Sequence, residues 1–317
     1  MKAKIGIIGG AGYTGGELLR ILINHPMVEV AFVHSNSQAG KPVYATHTDL
    51  LGSTNLLFTD QLSKVDALFL CSGHGESSKF LATHTIDSTT KIIDLSTDYR
   101  DQSEGFVYGL PEWQKENIKK ATKIANPGCF ATSIELAMLP MAMNQLIESD
   151  VHVSAVTGST GAGQSLSTTS HFSWRNNNIS IYKAFTHQHL TEIGMVLHQA
   201  AYRPKVHFIP YRGNFSKGIM ANVYTAFNGT QAEAIQLYHD FYKDSPFVFV
   251  SETAIDVKQV VNTNKCFLHL TVHDGQLLVT SIIDNLIKGA SGQAVQNMNL
   301  MMGWPEDSGL QLKAIGF

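Results

Sequence analysis

The chain is poor in cysteine. Its three, Cys71, Cys129 and Cys266, are too few and too scattered for a disulfide framework or a zinc ribbon. They suit a reducing compartment, so a cytoplasmic location is expected. No apolar run reaches the roughly 20 residues needed to cross a bilayer. The apolar start is broken by Gly6, Gly9, Gly10 and Gly12, which makes it a strand and turn rather than a leader. An excess of basic charge is also missing. A net charge of −3 argues against a protein built to coat nucleic acid or an anionic membrane. Internal repeats and low-complexity tracts are absent. What remains is an ordinary composition, 44% hydrophobic over 317 residues, enough for two packed domains.

The first part alternates apolar strands with helical segments. Strands are expected at 4–8, 28–34, 67–71 and 91–95, with a helix over 16–24. Buried strands separated by helices predict a doubly wound, Rossmann-type parallel sheet, whose ligands lie beyond the strands' carboxyl ends. After residue 150 the pattern changes. Segments 151–157, 206–209, 219–227, 247–250, 266–273 and 276–283 read as strands, several alternating apolar with polar residues. That is the signature of a mainly antiparallel sheet with unequal faces. Helices are expected near 190–202 and 231–242. The predicted organisation is an α/β domain over 1–128, completed by the C-terminal segment 288–317 with its helix over 291–302, and an α+β substrate domain over 129–287. The polar stretch 164–180 is read equally as a flap over a site or as an exposed loop.

Gly10-Ala11-Gly12-Tyr13-Thr14-Gly15 fits G-x-G-x-x-G between a strand and a helix. The first glycine permits the turn, the second lets backbone approach a pyrophosphate, and the third allows close helix–strand contact. The phosphate charge then meets the helix N-terminus at Tyr13 and Thr14. An acid after the second strand would bind the ribose hydroxyl of NAD. This chain has His34-Ser35-Asn36-Ser37, with Lys41 nearby, so NADP is the expected cofactor.

Cys129 follows Asn126-Pro127-Gly128 and precedes an apolar helical run. A thiol in a helix's first turn meets unpaired N–H groups and the positive end of the dipole, both of which favour the nucleophilic thiolate. Cys71 and Cys266 lie at strand ends and read as core. His187-Gln188-His189 precedes a helix and supplies candidate acid–base groups, with Glu192 placed to orient an imidazole. No third ligand spacing suggests a metal. Ser159, Gly161 and Gln164 belong to a second glycine-rich turn, where small residues let a substrate approach the backbone. Arg100, after the fourth strand, is a candidate clamp for phosphate or carboxylate, or else a surface ion-pair partner of Asp98 or Asp101.

Taken together, GAGYTGGEL (10–18), DLSTDYR (94–100), YGLPE (108–112), NPGCFAT (126–132), GSTGAGQ (158–164), HQHLTEI (187–193) and DNLIKGASGQAVQNMNLM (284–301) resemble the N-acetyl-gamma-glutamyl-phosphate reductases. These arginine-biosynthesis enzymes belong to the aspartate-semialdehyde-dehydrogenase-like group. The resemblance implies NADPH-dependent reduction of an acyl phosphate to a semialdehyde plus phosphate, through a Cys129 thioester. It implies His187 or His189 as acid–base partner, Asn126 near the substrate and Asn285 near the nicotinamide amide. It also implies small-molecule partners and a homo-oligomer, dimer or tetramer. Asn36 stands where the family often has arginine, and Gln188 and segment 210–219 also depart from it; N-acetyl and N-succinyl substrates stay open. Alternatives are an aspartate-semialdehyde dehydrogenase, an aminoadipyl-phosphate reductase, or a non-catalytic NADP-binding redox sensor.

Overall fold

The computed structural model describes residues 2–316. By internal contacts the chain divides into two units. One runs to Pro127 and resumes over Ala290–Gln311; the other covers Gly128–Gly289 and resumes at Leu312.

The first unit is built on seven strands: β1 (Ala3–Ile8), β2 (Val28–His34), β3 (Phe58–Thr59), β4 (Ala67–Leu70), β5 (Lys91–Asp94), β6 (Val107–Tyr108) and β7 (Lys123–Ala125). They lie in the order β3-β2-β1-β4-β5-β7-β6, and every pairing is parallel. Chain order reverses between β1 and β4, which opens a ligand crevice beyond their carboxyl ends. The helices are α1 (Tyr13–Leu22), α2 (Glu76–Thr83) and α3 (Pro111–Lys120). Burial of Ile5, Ile7, Leu18, Leu19, Phe69 and Ile93 explains why the strands read as unbroken apolar runs. The strands β3, β6 and β7 carry too few residues to show a period, and the sequence reading did not find them.

The second unit starts with the helix α4 (Cys129–Met143). Its strands are β8 (Val151–Thr157), β9 (Ser180–Ile181), β10 (Val206–Arg212), β11 (Ile219–Ala226), β12 (Val248–Val250), β13 (Cys266–His273) and β14 (Gln276–Ile283). They form one sheet, ordered β12-β13-β14-β11-β8-β10-β9. Four pairings are antiparallel, while β8 with β10 and β12 with β13 run parallel. The helix α4 packs on β11 and β14, and its residues 130–142 are all buried. The remaining helices are α5 (Phe172–Arg175), α6 (Leu190–Leu197) and α7 (Gln231–Tyr242). A reciprocal cap between Thr230 and Glu233 starts α7. The helix expected to reach Tyr202 is shorter, since α6 ends at Leu197.

The C-terminal helix expected over 291–302 is present at nearly those bounds. A π-turn over Ile287–Ser291 leads into α8 (Gly292–Met301). Gly303, at φ 71°, ends it. The N–H of Gly303 donates to Leu300 O at 3.1 Å and that of Trp304 to Asn299 O at 2.9 Å, a left-handed stop that glycine adopts readily. Within the first unit α8 packs on α3 and β5.

Candidate active site

In the first unit the loop after β1 forms the phosphate-binding type of turn, with one correction to the roles expected of its glycines. The left-handed residue is Gly9, at φ 74°, not Gly10. A side chain on Gly9 would also strike the Cys71–Ser72 backbone at 2.9 Å. Gly10 is a packing glycine, because a Cβ there would lie 2.2 Å from Val33. Gly15 is one too, since its Cβ would meet Gly10 backbone at 2.6 Å. Gly12 differs: its Cβ would approach only Gly9 O, at 3.7 Å. That open side, at the first turn of α1, is where a pyrophosphate can reach the backbone. His47, which the sequence did not flag, hydrogen-bonds Gly10 O through Nε2 at 2.8 Å and holds the loop from below.

Tyr13 is 39% exposed at the start of α1, and Thr14 O accepts from Ser291 Oγ at 2.9 Å. Ser35 is buried, its N–H donating to Thr59 O at 3.0 Å. Lys41 is exposed and holds Gln38 at 3.2 Å. No acid follows β2 until Asp49, which forms a two-pronged pair with Arg20 at 2.5 and 2.7 Å.

Arg100 is buried. Its Nε donates to Asn126 O at 3.0 Å and its Nη2 to Leu95 O at 3.2 Å. Asp98 instead accepts from the N–H groups of Gly75 and Ser78 at 2.7 and 3.0 Å, where α2 begins. Asn126 is tied on both sides: its Nδ2 donates to Ala290 O at 3.1 Å, and its Oδ1 accepts from Asn297 at 3.1 Å. Burial pushes the Cys71 thiol up, which suits a packing role. Cys266 is fully buried beside Ser281.

In the second unit Cys129 is the first residue of α4, with Gly128 as the cap. The Gly128 N–H donates to Glu192 Oε2 at 2.9 Å. The other oxygen of Glu192 lies 3.8 Å from His189 Nε2, at ion-pair distance. One buried carboxylate on α6 therefore braces the start of the cysteine helix and faces an imidazole. His187 is enclosed by Phe130, Tyr182, His189 and Phe208, with ring centroids 4.6–5.7 Å away. Its Nδ1 accepts the N–H of His189 at 3.2 Å, which assigns the ring proton to Nε2. Burial, helped by Lys183 and Arg212, pushes His187 down to about 4, so this ring is neutral at physiological pH.

Behind Cys129 runs the π-turn. Asp284 accepts from the N–H groups of Asn262, Leu286 and Ile287 at 2.7, 2.7 and 3.0 Å. This brings Gly289 so close that a Cβ there would lie 2.7 Å from Cys129 Cβ. Asn285 accepts from Gly218 N–H at 2.7 Å and donates to Thr160 Oγ1 at 3.1 Å. It thereby holds the second glycine turn. Gly161 in that turn has only Thr157 and Asn285 side chains near its Cβ position, none closer than 3.4 Å. Ser159 donates its N–H to Phe215 O at 2.8 Å, and Gln164 is exposed.

Segment 164–180 folds around Arg175. Its guanidinium reaches Thr169 O, Asn178 O, Ser180 Oγ and, at 2.6 Å, Arg212 O.

A dinucleotide-type sheet and a separate α+β unit that opens on a helix-start thiol define the semialdehyde dehydrogenase class. The family model "Semialdehyde dehydrogenase, NAD binding domain" matches residues 4–121, and "Semialdehyde dehydrogenase, dimerisation domain" matches residues 129–285. The fold is shared with aspartate semialdehyde dehydrogenase II from Vibrio cholerae at a TM-score of 0.75 and 17% identity, over 96% of this chain and 99% of that one.

Close relatives fix the branch. N-acetyl-gamma-glutamyl-phosphate reductase of Azobacteroides pseudotrichonymphae is 57% identical, over 99% of both chains. The Christiangramia forsetii protein of the same name is 56% identical, over 98% of both. The chain belongs to the N-acetyl-gamma-glutamyl-phosphate reductase family.

Proposed function

We propose that this chain reduces N-acetyl-gamma-glutamyl phosphate to N-acetylglutamate semialdehyde and phosphate with NADPH, in arginine biosynthesis, through a thioester on Cys129. The observation that carries the chemistry is Cys129 at the first position of α4, with Glu192, His187 and His189 gathered beside that helix start. Full-length identity above 50% to the glutamyl enzymes favours them over the aspartate enzymes, whose likeness is one of fold. A redox sensor would leave the two histidines and their carboxylate without a task.

The fingerprint fits a dinucleotide: Gly12 is open where Gly10 and Gly15 are closed. Gly12, Tyr13 and Thr14 would hold the pyrophosphate, and Ser35 and Lys41 a 2′-phosphate. Bound NADPH supplies the hydride. The protein's own steps are these. The Cys129 thiolate attacks the acyl carbonyl and expels phosphate, which splits one hard step into easier ones. N–H groups of the first turn of α4 receive the developing oxyanion. As the reduced carbon's oxyanion re-forms a carbonyl and the C–S bond breaks, His189, facing Glu192, gives its proton to the departing Cys129 sulfur, and in reverse it takes that proton back from the thiol. His187, held neutral in its aromatic enclosure, fixes the backbone of His189.

The second sheet supports a homo-oligomer. Residues 129–285 match a dimerisation model, and on one sheet face His152 stacks on His207 and Tyr224 at 4.9 and 5.0 Å. A cytoplasmic setting agrees with three free cysteines.

The test is phosphate-dependent oxidation of the semialdehyde, run with N-acetyl and N-succinyl substrates and with NADP and NAD. Turnover of the N-acetyl compound that needs phosphate and prefers NADP is expected. Lack of any phosphate requirement would refute an acyl-phosphate enzyme.

A further inference from the structure

The second unit holds a cation, Arg212, that has no counter-charge among the described residues. Arg212 ends β10, and its guanidinium carbon lies 4.5 Å from the centroid of the Tyr182 ring. Its Nε is shut off from solvent and has no hydrogen-bond partner. Among the described residues no carboxylate pairs with it. Arg212 is half-buried, and a shielded N–H left unmatched is costly, so native structures normally supply an acceptor.

The Tyr182 ring that Arg212 covers lies 5.7 Å from the His187 ring, and that geometry puts Arg212 beside the reacting centre. Its charge helps to depress His187. Burial pushes the Tyr182 hydroxyl up to about 12, with Cys129 adding to the rise and Arg212 opposing it. The other arginine of this wall is spent. Arg175 gives its donors to backbone carbonyls and Ser180, and through Arg212 O it fixes the end of β10. Arg100 in the first unit is committed to carbonyls of Asn126 and Leu95.

The guanidinium sits over the Tyr182 ring and also interacts with its hydroxyl, and a planar five-donor fork has further N–H groups that match a carboxylate. On the reading of function above, the substrate carries two anions. Phosphate departs in the first chemical step, whereas the α-carboxylate stays through to the semialdehyde. We propose that Arg212, stacked on Tyr182, is the specificity-determining residue that binds the substrate's non-reacting carboxylate. Arg175 is its positioning residue.

The test is steady-state oxidation of N-acetylglutamate semialdehyde by the full-length protein, with phosphate varied separately, and with the α-methyl ester of the same semialdehyde as an uncharged substrate. Wild type is expected to prefer the free acid over the ester by at least about 30-fold in kcat/KM, the scale of a lost charge-assisted pair. Arg212→Gln should raise the KM for the free acid by a similar factor, with much less change in kcat and none in the KM for phosphate. Its preference for acid over ester should collapse to a few-fold, and Arg212→Lys should lie between. NADP binding, followed by fluorescence, shows that the variants fold. An ester used as well as the acid by wild type overturns the assignment without needing any variant. A variant that keeps the preference, or one whose phosphate KM rises instead, overturns it as well. Wild type with no phosphate-dependent turnover of either compound would instead sink the functional reading, which separates the two failures.

Discussion

Replacing Gly289 by alanine tests whether the π-turn sets the position of the nucleophile. The added methyl would lie 2.7 Å from Cys129 Cβ, 3.1 Å from Cys129 Cα and 3.3 Å from Asp284 O. Carbon atoms rest at about 3.5–4.0 Å, so one side must yield by about 1 Å. Neither is soft. The turn is pinned by Asp284, which accepts three N–H groups, and α4 is buried from residue 130 to 142. Overpacking of this kind costs about 1–3 kcal/mol. A displacement near 1 Å at a reacting atom can cost about 100-fold in rate. Gly289→Ala should therefore fold with a lowered Tm and lose roughly 100-fold in kcat, while NADP binding is retained. The assay is semialdehyde oxidation beside thermal unfolding and cofactor titration. Wild-type kcat with a normal Tm would show that Cys129 tolerates displacement, and the positional account would fail.

Cys129→Ser should lose nearly all turnover and still bind NADP by fluorescence titration; wild-type-like kcat would remove the thiol from the chemistry. Gly12→Ala and Gly15→Ala should part company. The first has room in the fold but should weaken NADP binding at least about tenfold, while the second should lower Tm, because its Cβ would lie 2.6 Å from Gly10 O. Equal Tm and equal NADP affinity in both would contradict the assigned roles. For His187, the ordinary value of 6.5 falls to about 4 in the folded protein, so the unfolded chain binds more protons between those values. Its contribution to stability is thus complete above pH 6.5 and is lost as pH falls toward 4. His187→Asn should flatten the pH dependence of denaturant midpoints in that window, and an unchanged slope would count against a neutral, buried ring.

The sequence exposed whatever repeats or punctuates. Continuous apolar runs revealed β1, β2, β4 and β5, alternation revealed β13 and β14, and the glycine spacing revealed the turn before α1. It hid what depends on neighbours distant in the chain. That Gly9 rather than Gly10 takes the left-handed conformation follows from the Cys71–Ser72 backbone lying against it. Strands as short as Phe58–Thr59 exist only because β2 offers hydrogen bonds. The helix start at Cys129 was legible from Asn-Pro-Gly. That Glu192 reaches back to Gly128, however, needs α6 packed on α4. Arg212 gave no local signal, since an arginine at the end of an alternating strand looks like a solvent-facing residue. The departure of segment 210–219 from the family pattern was the one available hint.

A covalent sulfur ester on Cys129 is the claim on which the rest depends. Intact-mass and peptide-mapping measurements on the protein mixed with N-acetylglutamate semialdehyde and NADP, with phosphate withheld, test it most directly. Without phosphate to release the acyl group, the account predicts an added N-acetylglutamyl acyl mass. That mass should map to the peptide carrying Cys129, vanish when phosphate is added and be absent from Cys129→Ser. NADP reduction with no acyl mass on the protein, or an adduct on another residue, would contradict it.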